Sequence, residues 1–201
     1  MKRLVALFLV AAALCLTASA AARPSEGWRT HRSASGSFSI GTPASWIDFT
    51  RATPRALELI TVYPQLRPYL ELARAQKRIK LVLASPTGPT VAHGYATNLN
   101  VVQIPVLADL ELVRRASVAE LKGLRLVIGQ VHVSHVRLPA SRAVRLVYHA
   151  RYRLGGPLVA VTQFLLVHHA QETVLTYTTL PVAESTYRAT FDRSARSLRF
   201  L

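Results

Sequence analysis

The chain is poor in three things, and each absence excludes a class of chemistry. It has one cysteine in 201 residues, Cys15. A disulfide framework within the chain is therefore excluded, and so is any thiol site elsewhere. It has ten acidic side chains against 25 basic ones, with aspartate only at positions 48, 109 and 192. Paired-carboxylate chemistry needs two acids held roughly 5–10 Å apart. The nearest pair within one element, Glu111 and Glu120, is separated by about 13 Å of helical rise. No Gly-x-Ser-x-Gly elbow, His-Glu-x-x-His pair, Gly-Lys-Ser/Thr phosphate loop or Gly-x-Gly-x-x-Gly turn occurs. These absences favour a binding protein over an enzyme, and no cofactor is expected.

What is present begins at the N-terminus. Met1-Lys2-Arg3 precedes an apolar run from Leu4 to Leu16, followed by Thr17-Ala18-Ser19-Ala20. A positive head, an apolar stretch and a small-x-small site form a secretory signal peptide over residues 1–20, cut after Ala20. The apolar stretch is about thirteen residues, short of the roughly twenty that span a bilayer. Retention as an anchor is thus the weaker alternative. Lipidation of Cys15 is weaker still, because Leu14 stands where a small residue is wanted. Cleavage removes the lone cysteine, so the exported chain must rest on its hydrophobic core. No later apolar run reaches spanning length.

Without Lys2 and Arg3 the chain carries 23 Lys+Arg against 10 Asp+Glu, a net charge of +13. Such a charge attracts polyanions. Arginine outnumbers lysine 21 to 4 and the cations are scattered, which is also what GC-rich coding would produce. An extracytoplasmic address argues against nucleic acid and leaves an envelope protein or an anionic surface as the expected partner.

The stretch 21–36 is polar and turn-rich and reads as a flexible lead-in, leaving one domain over 37–201. Phe38-Ser39-Ile40 opens a strand. Residues 54–76 carry helical spacing, which Pro64 and Pro68 should split. Ile79–Leu83 and Asn98–Val106 read as strands. Between them and the C-terminus lies helical spacing over 107–122, with Leu110, Val113, Ser117 and Leu121 on one stripe and Gly123 at its end. Four β-rich segments follow, at 124–138, 142–154, 158–169 and 173–180, with a turn expected at Ala170-Gln171-Glu172. Tyr187, Phe191, Ala195 and Leu198 then mark a closing amphipathic helix over 184–198. Strand runs joined by tight turns, with segregated helices, predict an α+β fold on an antiparallel sheet.

Several local sequences in this order resemble the PsbP/Mog1-like superfamily. Phe38-Ser39-Ile40-Gly41-Thr42-Pro43-Ala44-Ser45-Trp46 is similar to its first strand, and Asn98-Leu99-Asn100-Val101-Val102 to the strand before its middle helix. Thr162–Leu165 with Thr173–Thr179 resembles its last hairpin. Tyr187–Phe191 and the tail Ser197-Leu198-Arg199-Phe200 resemble its closing helix. The resemblance covers roughly residues 36–201. It implies an α/β/α sandwich around a twisted, mostly antiparallel sheet, and a protein-binding scaffold without a shared catalytic set.

Three candidate sites follow from the residues. In the segment 142–154, Arg145, His149, Arg151 and Arg153 share one parity and Val144, Leu146, Tyr148, Ala150 and Tyr152 the other. That alternation is a half-buried strand with a basic outer face suited to anions. The histidines offer an alternative: His132 or His135, His168 or His169, and His149 would hold Zn or Cu if strand register gathered one of each pair. Trp46 with Tyr63 and Tyr69 would line a pocket, or simply fill the gap between a helix and the sheet.

Overall fold

The computed structural model describes residues 27–62, 67, 70–71, 78–151 and 156–201. The signal segment, residues 21–26, Tyr63, Pro64, Pro68, Tyr69 and Arg153 lie outside these.

Among the described residues ten strands form two antiparallel sheets. The small sheet has the order β1-β2-β10, from Trp28–Arg32, Phe38–Pro43 and Arg199–Phe200. The large one runs β3-β4-β5-β9-β8-β7-β6, with β3 Ile47–Asp48, β4 Ile79–Ala84, β5 Asn98–Pro105, β6 Val127–Arg137, β7 Arg142–Arg151, β8 Leu158–His168 and β9 Gln171–Thr179. Helix α1 spans Pro54–Val62, α2 Leu110–Gly123 and α3 Glu184–Arg196. Strands β6 to β9 are a meander of hairpins, as tight turns require. β9 then inserts beside β5, so the middle of the sheet is buried on both faces.

Register sorts the side chains into layers, because residues paired across antiparallel strands share a face. Leu81, Leu83, Leu99, Val101, Phe164, Leu166, Leu175 and Tyr177 pack with Phe38, Ile40, Tyr187, Phe191, Ala195 and Leu198, so α3 and the small sheet cover one face. On the other face Val144, Leu146, Tyr148, Val161, Leu165 and Val174 meet Val113 and Leu121 of α2. Ala56 and Ile60 of α1 join Val82 and Ala84 on that same side. The result is the expected α/β/α arrangement. Helix α2 buries Val113, Ser117 and Leu121, three of the four stripe residues, and Asp109 caps it by accepting from the Leu112 amide at 2.7 Å.

Two expectations are corrected. Residues 28–32, within the supposed lead-in, are a strand paired with β2 from Trp28↔Pro43 to Arg32↔Ser39. The alternation Trp28-x-Thr30-x-Arg32 satisfies a strand, and the serine-rich 33–37 segment is the turn of that hairpin. The last hairpin turns at His169-Ala170 and not at 170–172. His168 pairs with Gln171, and both loop residues have positive φ, 47° and 56°. A two-residue loop of this kind follows the twist of the strands, which overrides the poor fit of alanine to positive φ.

Gly41 is where the layers come closest. A Cβ there would sit 3.1 Å from Ser197 Oγ. The Gly41 amide donates to that hydroxyl at 2.7 Å, so the end of α3 is fastened to β2.

Candidate binding surface

Strand β7 alternates as expected: Val144, Leu146, Tyr148 and Ala150 are buried under α2, while Arg145, Val147, His149 and Arg151 face the other way. That second face does not simply open to water. Arg145 Nη2 lies 3.7 Å from Asp192 Oδ1, and His149 Nε2 lies 3.0 Å from Glu184 Oε2. Glu184 and Asp192 are eight residues apart on α3, about 12 Å. Arg145 and His149 are four apart on the strand, about 13 Å. The spacings match, so α3 runs beside β7 with its acids against the strand's bases. Arg145 also rests 5.9 Å from the centroid of Phe164, its partner in register. Its Nε is buried and has no partner among the described residues. Of the four residues on the expected basic face, two therefore hold α3. Arg151 is exposed and donates to the Gly156 carbonyl at 3.2 Å. Arg153 lies outside the described residues.

A second cationic surface occurs on the small sheet. Arg32, Ser39 and Arg199 stand in one row across β1, β2 and β10, with both arginines exposed. Trp28, two rows along on the same face of β1, lies under the guanidinium of Arg193 at 4.1 Å from its ring centroid. Arg196 is exposed in the last turn of α3, and Arg199 reaches back to its carbonyl at 3.0 Å. With Arg29, the elements β1, β2, β10 and the end of α3 carry five arginines, while 27–47 and 193–201 contain no acidic side chain.

The histidines are not gathered. His132 and His149 lie on the α3 side of β6 and β7, whereas His135, opposite Val144, faces α2. His168 stacks on Phe200 at 4.3 Å, and His169 sits in the turn. In register His168 lies six residues beyond Thr162, the position level with His132, or about 20 Å along the strands. Among the described residues no three His, Cys, Asp or Glu side chains form a metal-holding group. Trp46 is 3% exposed and packs with Phe38, Ile40 and Leu81, so it belongs to the core.

No protein-family model matches the chain, and no curated protein does. Solved structures match over most of its length. The solution structure of cyanobacterial PsbP (CyanoP) from Synechocystis sp. PCC 6803 superposes with a TM-score of 0.55 at 11% identity, covering 92% of this chain and 98% of that one. The crystal structure of the Saccharomyces cerevisiae Ran-binding protein Mog1p gives 0.51 at 10% identity, with 88% and 96% covered. The chain has the PsbP/Mog1-like fold. LpqN of Mycobacterium tuberculosis, described as involved in cell envelope biogenesis, overlays with a TM-score of 0.49 at 14% identity over 88% of this chain and 91% of its own.

Within the PsbP/Mog1-like fold, the small-sheet arginines were hidden from sequence reading because Arg32 and Arg199 are brought together only by β2. The alternation at Trp28–Arg32 was the available signal. Beneath them His31 is buried on the inner face, 3.1 Å from Thr42 Oγ1. Burial lowers its pKa, opposed by Asp48 and reinforced by Arg29. A histidine held below its ordinary value is neutral in both states only well above about pH 6.5. As the pH falls through that value the unfolded chain takes up the proton first, so stability drops. Denaturation midpoints measured from pH 7.5 to 5.5 should therefore fall, and His31→Gln should flatten the decline. An equal slope in the variant would remove His31 as the cause.

Proposed function

We propose that this chain is an exported, non-enzymatic binding or accessory protein of the cell envelope, which contacts an envelope protein or anionic surface through its arginines. The observation that carries this reading is the small-sheet surface: Arg32, Arg193, Arg196 and Arg199 gather about Trp28, and the neighbouring acid, Asp192, is turned to Arg145. Cations without acidic partners are free to release counterions or accept bidentate carboxylate and phosphate groups. The signal-like residues 1–20 support export. The fold supports a role in protein contact, since Mog1p, which shares it, is described as Ran-binding. On β7, Arg151 is exposed as well, at the far end of the strand, while Arg145 and His149 would contribute only by exchanging their partners on α3.

The test is binding to vesicles with and without anionic phospholipid. Replacing Arg32, Arg196 and Arg199 together by Gln should weaken binding to anionic vesicles by about 100-fold, at roughly 1 kcal/mol per cation near the surface. Raising the salt should weaken the native chain in the same direction. The triple Gln replacement of Arg145, Arg151 and Arg153 should do less, because Arg145 is already engaged. Equal binding by the native chain and the small-sheet variant, with unchanged thermal midpoints, would show that the patch is only a solvated face.

A further inference from the structure

Strand β6 ends the seven-stranded sheet, and among the described residues it pairs only with β7. It runs for eleven residues, Val127–Arg137. In an antiparallel edge strand every second residue turns its N–H and C=O away from the partner, as a template for another strand. Natural edges are usually guarded. The opposite edge of this sheet obeys that rule, since β3 is two residues long. β6 has a guard only near its start, where Gly129 at φ 78° marks a break in register between Ile128 and His132. Past it, residues 130–137 read Gln-Val-His-Val-Ser-His-Val-Arg, with no proline, lysine or acid. Most of these residues are exposed, including Val133 at 37%.

The electrostatic setting selects the occupant. From Leu121 to Gln171 the chain has no aspartate or glutamate at all, while Lys122, Arg125, Arg137, Arg142, Arg145, Arg151 and Arg153 fall within that span. Arg137 and Arg142 are directly paired at one end of the β6–β7 ladder. Of the carboxylates on neighbouring elements, Glu111 of α2 acts on His135 but is held by Arg114, and on the other face Asp192 and Glu184 of α3 are engaged by Arg145 and His149. A second copy of this chain would bring another acid-free edge with its own Arg137 and Arg142 against this one. A segment carrying acids at alternate positions would set them against His135, Arg137 and Arg142 while its backbone completes the ladder.

We propose that the free edge of β6 over residues 130–137 receives an extended, acidic segment of a partner protein as an added strand. This contact is separate from the small-sheet arginines and does not depend on them.

The probe is a blocked eight-residue peptide of alternating glutamate and valine, added to the full chain at low salt, with amide hydrogen exchange read by residue. Exchange at alternate amides of 130–137 should slow by about tenfold or more, as expected for hydrogen-bonded strand addition. A peptide with lysine for glutamate, and one N-methylated at alternate residues along one edge, should each bind at least about tenfold more weakly. Three results would overturn the proposal. One is unchanged exchange at 130–137 with about 1 mM peptide, the limit of a meaningful affinity. Another is equal binding by the N-methylated peptide. The third is protection of 130–137 that grows with concentration of the chain alone, which would make a second copy the occupant. None of these depends on vesicle binding, so failure here and failure of the arginine patch are distinguishable.

Discussion

Replacing Phe191 with alanine is expected to lower the free energy of unfolding by about 3–5 kcal/mol, the usual cost of deleting a buried phenylalanine. Phe191 is 2% exposed and stands at the centre of an aromatic group. Its ring lies 4.8 Å from Tyr177 of β9 and 5.8 Å from Tyr187 one turn back on α3, and Tyr177 in turn meets Phe164 of β8 edge-on at 6.0 Å. Through Tyr177 this side chain links the helix to β9, the middle strand of the large sheet, and on to its neighbour β8. Its neighbours come from rigid strands, so they cannot collapse fully into the space left, and the cost should fall in the upper part of the range. Urea denaturation of Phe191→Ala and of Leu107→Ala, whose side chain is 97% exposed, checks this directly. A loss below about 1.5 kcal/mol at Phe191 would mean that α3 is not an integral layer of the domain.

The same substitution, tyrosine to phenylalanine, is expected to have opposite signs at two positions on the two faces of the sheet. Tyr177 donates its hydroxyl to Ser194 Oγ at 3.0 Å, and Ser194 donates onward to the Gly41 carbonyl at 2.7 Å. That chain ties β9, α3 and β2 together in the core. Tyr177→Phe removes the donor to the buried Ser194 hydroxyl, which keeps only its bond to Gly41, and should cost about 1 kcal/mol. Tyr148 is as deeply buried under α2, yet its hydroxyl has no partner among the described residues. Burial pushes both phenols well above the ordinary tyrosine range, so neither is charged at any ordinary pH. Tyr148→Phe removes an uncompensated polar group and should raise stability by about 1 kcal/mol. Paired denaturation curves decide it. Destabilisation at both sites would mean that the Tyr148 hydroxyl is satisfied in solution.

The elements that repeat locally were legible in the residues. Helix α2 kept the stripe of Val113, Ser117 and Leu121, and α3 that of Tyr187, Phe191 and Ala195. β7 kept its two parities. Periods of 3.6 and 2 follow from the backbone of each segment alone, so a short window suffices to see them. The basic face of β7 was legible as a stripe but not in its use. Its counter-charges, Glu184 and Asp192, stand 35 and 47 residues away from His149 and Arg145, and nothing local announces the match. The arginine row across Arg32, Ser39 and Arg199 was invisible for the same reason, since 160 residues separate Ser39 from Arg199.

The sequence by itself determined the segment types, the antiparallel meander with its tight turns, and a core that needs no disulfide. These depend on side-chain alternation and turn residues that lie next to one another. Tertiary structure decided the rest: that β9 sits between β5 and β8, that β3 and β6 are the edges, that 28–32 joins a second sheet, and which cations are paired. Strand order and cross-layer charge pairing are settled by contacts between distant segments, where burial of one face selects among registers that local propensity leaves equivalent.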